Sequence, residues 1–243
     1  MSSPPRELSR VDEERAYVLH SYPYSETSLI VDFFTVRFGR VPLLARGARR
    51  PRSALKGVLL AFQPLAVAWS GRGEVRNLHR AEWLGGVPRP GGRALWCGFY
   101  LNELLMRLLA RDDPHEQLFA AYATAIERIS TQSKLEPVLR WFEKRLLGEL
   151  GYALVLDGEA GTRRPLEDDA LYSYDPDRGP VRAAGDRGPG LVSGRTLKAI
   201  AAEEFEDARV LGEAKGLMRQ VIGHRLERQP LRVSQVFRAL QDL

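Results

Sequence analysis

A run of cations without carboxylates occupies part of the first third of the chain. Between Asp32 and Glu74 there are eight Lys and Arg residues and no Asp or Glu, although carboxylates are plentiful on both sides. The densest part, residues 45–53, reads ARGARRPRS. Arginine forks bind phosphate oxygens in pairs, so this run favours a nucleic-acid ligand. The alternative is a solvated charge run, but inert surfaces usually intersperse opposite charges. The eight cations are Arg37, Arg40, Arg46, Arg49, Arg50, Arg52, Lys56 and Arg72.

Residues for catalysis or metal binding are not combined in a recognised pattern. The chain has no Gly-rich phosphate loop, no GxGxxG after a strand, no His-Glu-x-x-His and no paired cysteines. Acidic pairs at 168–169 and 203–204 are expected to be solvated rather than to hold magnesium. The one cysteine, Cys97, lies in an apolar run and allows neither an internal disulfide nor a multi-thiolate zinc site. We therefore expect no enzymatic activity, no cofactor and no bound metal.

Composition indicates an ordinary soluble globular protein, with 44% hydrophobic and 28% charged residues. With 36 Lys and Arg against 31 Asp and Glu, the net charge is only +5, so the basic character is local. No stretch approaches the roughly 18 uninterrupted apolar residues of a membrane span. The sequence predicts a cytoplasmic, nucleoid-associated protein that does not bind membranes. The polar start predicts a flexible N-terminal arm over 1–14.

Five short runs in the first part of the chain have apolar residues at every second position, as in half-buried strands. Five such strands fit a small closed antiparallel barrel over 15–86. The oligonucleotide-binding (OB) barrel is the commonest five-stranded solution, and an SH3-like barrel gives a similar pattern. The runs are 15–21, 28–35, 41–45, 62–69 and 75–83.

After the boundary segment GGVPRPGG at 85–92, the apolar period changes to that of helices. The run 94–110 is apolar nearly all round, as in a buried helix. Cap residues predict helix starts near Asp113, Ser133, Ser193, Asp207 and Ser234. A Gly- and Pro-rich insertion, 157–190, is predicted to hold loops and a short hairpin around 171–174. The prediction is an α+β chain of two domains, with a helical second domain over 93–243.

Several segments, in order along nearly the whole chain, resemble the bacterial RecO family of DNA repair and recombination proteins, recombination mediators of the RecF pathway. These segments are SYPYSETSLIVDFFT, GRVPLLARGARRPRSALKG, YLNELLMRLLARDDPHEQLFAAY, LRWFEKRLLGELGY and LRVSQVFRALQ.

The resemblance implies an N-terminal OB barrel and a helical C-terminal domain. It implies binding to single- and double-stranded DNA and annealing of complementary strands without ATP. The implied partners are RecR, the acidic C-terminal tail of the single-strand-binding protein (SSB) and, through them, RecA, which is loaded on SSB-coated strands. Many relatives carry a four-cysteine zinc motif just after LGELGY; this chain has none there and is expected to be a zinc-less variant.

The family's roles carry over to matching positions. For the SSB tail, which ends in apolar residues and a carboxylate, the hypothesis is a groove formed by Arg140, Tyr122 and Ile126, with Arg145 as a reserve cation. DNA contact is assigned to Arg37, Arg40, Arg46, Arg49, Arg50, Arg52 and Lys56.

Two alternative functions stay open. One is an RNA-binding module built on the same barrel, which would prefer structured RNA to plain DNA strands. The other is a protein-interaction scaffold, in which the helical domain carries the function and the basic run contacts an acidic protein surface. A nuclease or ligase is disfavoured, because the residues for that chemistry are missing.

Overall fold

The computed structural model describes residues 10–185, 188, 190–227 and 229–233. The chain divides into two compact units, residues 1–131 and 132–243. The domain bounds expected from the sequence, 15–86 and 93–243, stay predictions.

The first unit is built on a closed barrel of five strands in the order β1-β2-β3-β5-β4. This confirms the OB-type barrel. The prediction that the barrel is wholly antiparallel was wrong, because β3 and β5 run parallel through Leu43↔Arg76 and Leu44↔Asn77. Five strands in a closed ring cannot alternate in direction throughout, so one parallel pair is unavoidable. The strands are β1 (Arg10–Pro23), β2 (Leu29–Thr35), β3 (Gly39–Ala45), β4 (Leu65–Ser70) and β5 (Arg76–Trp83).

Strand β1 is longer than the sequence pattern suggested. It begins at Arg10, which pairs with Ser70 of β4, so residues 10–14 of the predicted arm are strand. Residues 1–9 lie outside the described residues. The second half of β1 also pairs with β2, for example Tyr17 with Phe34. Strand β1 therefore has a partner strand on each side, β2 and β4, and closes the barrel.

Two helices of the first unit, α1 (Arg93–Leu108) and α2 (Glu116–Thr131), follow the barrel strands. Helix α1 agrees with the predicted buried helix to within two residues. The aromatic rings of Tyr17 and Phe34, on the outside of β1 and β2, meet the ring of Phe119 with centroids 5.5 and 5.3 Å apart. Asn102 of α1 donates to the Leu19 carbonyl at 2.8 Å and accepts from the Tyr122 hydroxyl at 2.6 Å. The outer face of β1 and β2 is therefore covered by helices.

The second unit combines three helices with a three-stranded sheet of order β7-β6-β8. Side chains of Ser193 and Asp207 cap the helices that follow them, as predicted. Ser133 does not cap a helix, because the capping position is Lys134. The helix predicted from Ser234 lies outside the described residues. The elements are α3 (Leu135–Glu149), β6 (Leu171–Asp175), β7 (Gly179–Arg182), β8 (Val192–Ser193), α4 (Gly194–Ala202) and α5 (Ala208–Arg225).

The Gly- and Pro-rich insertion contains the predicted hairpin as β6 and β7. Its rings Tyr172 and Tyr174 are buried. Arg182 donates two hydrogen bonds of 2.8 Å to the Glu167 carboxylate, and this contact lowers the pKa of Glu167.

Within the described residues, no helix combines the length and the apolar character needed to cross a bilayer.

Candidate nucleic-acid interface

The densest cations lie on the first part of the connection between β3 and β4. This part, residues 46–56, is here called the basic loop. Ala48 is buried, and the partly buried Leu55 packs against the barrel core, so both ends of the loop are anchored on the barrel. Gly47 has φ +70°, a conformation that favours glycine and allows the turn after β3. The cations of the basic loop face solvent; they are Arg46, Arg49, Arg50, Arg52 and Lys56.

The side chains of four of these cations, Arg46, Arg50, Arg52 and Lys56, make no hydrogen bond or ion pair in the part of the chain that the structure describes. No acidic residue lies within the basic loop. Their charges are therefore compensated by solvent and counterions alone, which is the condition for release of counterions on binding a polyanion.

Arg49 is exposed but has a different role in the structure. Its backbone amide donates to the Thr27 carbonyl at 2.9 Å, and its Nη1 donates to the Ser25 carbonyl at 2.7 Å. Both partners lie on the connection between β1 and β2, here called the β1–β2 loop (residues 24–28). These two hydrogen bonds hold the β1–β2 loop beside the basic loop. Since the acceptor of the guanidinium is an uncharged carbonyl, it does not neutralise the positive charge of Arg49.

The structure does not bring Arg37 to the basic loop. Its Nε lies 2.6 Å from Oε2 of Glu14, whose side chain is 1% exposed, and its backbone amide donates to the other carboxylate oxygen at 2.9 Å. The charge of Arg37 is therefore matched within the first unit.

Arg40 is also engaged within its own unit. It is half-buried, and its guanidinium donates to the carbonyl of Met106 in α1. Burial lowers the pKa of Arg40, and the carboxylate of the buried Asp32 partly offsets this effect. Two of the seven predicted DNA-contact residues, Arg37 and Arg40, thus lie away from the basic loop, whereas the other five lie together on it.

Arg72 joins the exposed cations from a different loop. It lies in the connection between β4 and β5, and it has no ion-pair or hydrogen-bond partner among the described residues. OB barrels bind oligonucleotides through the loops between strands 1 and 2 and between strands 4 and 5. The sequence had marked Arg72 as a member of the cation run but not as a contact.

The aromatic residues nearest the cation run are mostly core. Phe33, Phe34, Phe62 and Trp69 are almost fully buried, and Phe38 packs edge-on against Trp69 with ring centroids 5.2 Å apart. These side chains fill the barrel or contact the helices, so their faces are not open to bases.

Two of the exposed aromatic residues lie on and beside the β1–β2 loop. Tyr24 is 63% exposed and Tyr22 is 41% exposed. Sequence reasoning missed both as site residues. The signal was present in the segment SYPYSE, where rings alternate with polar residues and a proline at the end of a strand-like run.

The net charge differs between the two units of the chain. Residues 1–131 contain 18 Lys and Arg against 13 Asp and Glu, a net charge of +5. Residues 132–243 contain 18 of each and are neutral. The net positive charge of the protein therefore belongs to the unit that carries the barrel.

The residues proposed for the SSB tail are mostly not exposed. The side chain of Arg140 is 7% exposed, and its Nη2 lies 2.6 Å from Oε1 of Glu143, one turn along α3. Tyr122 and Ile126 are buried in the first unit. The physical reason is that the apolar stripes of these helices form core, and Arg140 has a carboxylate partner within its own helix.

Arg145, the reserve cation, is more accessible than Arg140. Its side chain is 52% exposed, it pairs with Glu203 at 3.0 Å, and its guanidinium lies 5.8 Å from the centroid of the Trp141 ring. An incoming carboxylate can reach this guanidinium, but it competes with Glu203. Among the described residues no group of three or more His, Cys, Asp or Glu side chains is placed to hold a metal ion.

Two family models together match most of the chain. "Recombination protein O N terminal" matches residues 10–87, and "Recombination protein O C terminal" matches residues 89–235.

Three curated relatives, each called DNA repair protein RecO, are similar over nearly their full length. The protein of Dechloromonas aromatica is 51% identical over 241 residues, which are 97% of this chain and 98% of the relative. That of Aromatoleum aromaticum is 51% identical over 235 residues, covering 96% and 98%. That of Thiobacillus denitrificans is 47% identical over 245 residues, covering 97% and 94%. With an OB barrel and an exposed basic loop in the matched N-terminal region, the chain belongs to the recombination protein O (RecO) family.

Proposed function

We propose that this protein binds single- and double-stranded DNA through its basic loop and anneals complementary strands without ATP, as a mediator of recombination and repair. The observation that carries the proposal is the set of four exposed cations, Arg46, Arg50, Arg52 and Lys56, that have no acidic partner in the described structure. The phosphates of bound DNA would form ion pairs with these four cations. Contacts of this kind are independent of base sequence.

The mechanism is electrostatic rather than covalent. Two complementary strands repel each other through their phosphates. A surface that neutralises both strands raises their local concentration and lowers this barrier. We therefore propose a non-enzymatic role that needs no nucleotide and no resident cofactor.

We further propose that the protein acts with RecR and with the acidic tail of SSB, and thereby helps to load RecA onto coated strands in the bacterial cytoplasm. The exposure of Arg145 supports it over the buried Arg140 as the cation for the tail carboxylate.

The test is annealing of complementary oligonucleotides precoated with SSB, in the absence of ATP. We expect the native protein to speed duplex formation. The fourfold variant with Arg46, Arg50, Arg52 and Lys56 changed to Gln should lose most of this acceleration. The matched control is the fourfold Gln variant at Arg163, Arg164, Arg178 and Arg219, exposed cations of the second unit, and it should retain the acceleration.

Two experiments, one binding competition and one charge reversal, separate the alternatives. Preference for structured RNA over single-stranded DNA of equal length would favour an RNA-binding module. Unchanged DNA retention after charge reversal at Arg49 and Arg50 would favour a scaffold whose basic loop contacts protein.

A further inference from the structure

The β1–β2 loop carries the most exposed aromatic side chain in the described part of the protein. Tyr24 is 63% exposed, and its ring has no hydrogen-bonding or ring partner among the described residues. The Tyr24 ring is not packed in the barrel core, so it adds little hydrophobic stabilisation to the fold. Its ring is therefore free to contact a ligand.

The backbone beneath this ring is fixed. The amide of Tyr24 donates to the Ser28 carbonyl at 3.1 Å, which closes the loop. The amide of Ser28 donates to the hydroxyl oxygen of Ser25 at 3.2 Å. Arg49 adds two hydrogen bonds from the basic loop, to Ser25 and Thr27. The ring is thus exposed on an ordered support, so binding a flat partner costs little ordering of the chain.

Tyr22 provides a contrast within the same segment. Its ring meets His20 edge-on with centroids 4.5 Å apart. Burial raises the pKa of the Tyr22 hydroxyl, and the neighbouring carboxylate of Asp32 raises it further. Tyr22 is therefore anchored on the barrel, whereas Tyr24 is not.

The position of Tyr24 relates it to the exposed cations. The residue before β2 and the residue after β3 are neighbours, because Leu29 pairs with Ala45 across the sheet. Arg49 then joins the two loops directly. A strand whose phosphates lie on Arg46 and Arg50 therefore passes beside the β1–β2 loop, which carries Tyr24.

We propose that Tyr24 stacks on an unpaired base of the bound DNA strand, and that Arg49 is a positioning residue that holds the loop for this contact. The inference rests on the proposed function and deepens it. The basic loop binds phosphates of any strand, while Tyr24 adds affinity only for strands whose bases are free. In a duplex the base faces are already stacked on one another.

The experiment compares three labelled probes of equal length by fluorescence anisotropy: oligodeoxythymidine, an abasic deoxyribose-phosphate strand, and a duplex. Tyr24→Ala and Tyr24→Leu should weaken binding of oligodeoxythymidine by about tenfold, the usual scale for one base stacked on an aromatic ring. Both variants should change the affinity for the abasic strand and the duplex by less than about twofold. Tyr24→Phe, which keeps the ring, should bind all three probes as the native protein does.

Two further variants sharpen the test. Tyr152→Ala removes an exposed ring of the second unit and should leave all three affinities unchanged. Arg49→Ala should weaken oligodeoxythymidine binding more than Arg52→Ala does, yet match Arg52→Ala on the abasic strand.

The outcomes distinguish a failure of the stacking role of Tyr24 from a failure of DNA binding itself. Native-like binding of oligodeoxythymidine by Tyr24→Ala, or an equal loss on all three probes, overturns the stacking role while DNA binding stands. Failure of the native protein to bind any of the probes at low salt rejects the proposed function itself.

Discussion

The guanidinium of Arg37 lies on the carboxylate of Glu14, with Nε 2.6 Å from Oε2, although the two residues are 23 positions apart in the sequence. Glu14 is buried in β1, and Arg37 follows β2. This pair fastens the turn between β2 and β3 to the first strand. A cation counted in the basic run of the sequence is therefore part of the fold.

Arg37 and Arg50 should separate stability from DNA binding. Arg37→Ala leaves the buried Glu14 carboxylate without its charged donor, so we expect the free energy of unfolding to fall by about 1–3 kcal/mol. Arg50→Ala removes an exposed cation without a partner and should change it by less than about 0.5 kcal/mol. Urea unfolding of both variants measures these differences. DNA affinity should show the reverse order, with the larger loss for Arg50→Ala; equal stability of the two variants would speak against the role assigned to Arg37.

A carboxylate in the second unit should govern stability at low pH. Glu213 is part of α5, and its Oε2 accepts from the hydroxyls of Ser193 and Thr196 at 2.6 and 2.7 Å. Burial raises the pKa of Glu213, but these hydrogen bonds, with those from the Ser193 amide and Arg209, outweigh it and lower the pKa to about 2.

Because the folded-state pKa lies below the ordinary value of 4.5, the stabilisation is complete above pH 4.5 and is lost as pH falls towards 2. Glu213→Gln should lower the free energy of unfolding by about 2–3 kcal/mol at pH 7. Its difference from the native protein should shrink between pH 4.5 and 2. Glu206→Gln, a change at an exposed ion pair, is the matched control and should have little effect. A difference at Glu213 that stays constant down to pH 2 is incompatible with this network.

Arg140 and Arg145 should respond oppositely in stability and tail binding. Arg140→Ala leaves Glu143 without its guanidinium partner in the protein interior, so we expect a loss of about 3–5 kcal/mol in unfolding free energy. Arg145→Ala breaks an exposed pair and should cost less than about 1 kcal/mol. Arg145→Ala should nevertheless weaken binding of an SSB-tail peptide, measured by calorimetry. Native-like tail affinity in that variant would discard Arg145 as the tail's cation.

Much of the fold was predictable from apolar periodicity. Alternation located β2 to β5, and the change of period after residue 85 located α1. The first half of β1 was not predictable, because residues 10–14 are mostly polar and become strand through pairing of Arg10 with Ser70. The parallel pairing of β3 with β5 is a property of the closed ring, which no local pattern records.

The sequence predicted where the cations of the candidate site are concentrated. It did not predict which of them have partners within the fold. The type and density of cations marked the basic loop correctly as a solvent-exposed cluster. They did not distinguish Arg37 and Arg40, whose partners Glu14 and Met106 are remote in sequence. Tyr24 was missed because the alternation of rings in SYPYSE does not show which ring is exposed, and exposure is a tertiary property.

The most direct test of the central claim is the salt dependence of single-strand affinity. Binding of oligodeoxythymidine should be measured from low to moderate salt for the native protein and the fourfold Gln variant of the basic loop. Each phosphate contact contributes about −0.7 to the slope of log affinity against log salt. Loss of four contacts should therefore make the slope shallower by about 2.8. A slope unchanged in the fourfold variant would show that these four cations do not contact phosphates and would contradict the account.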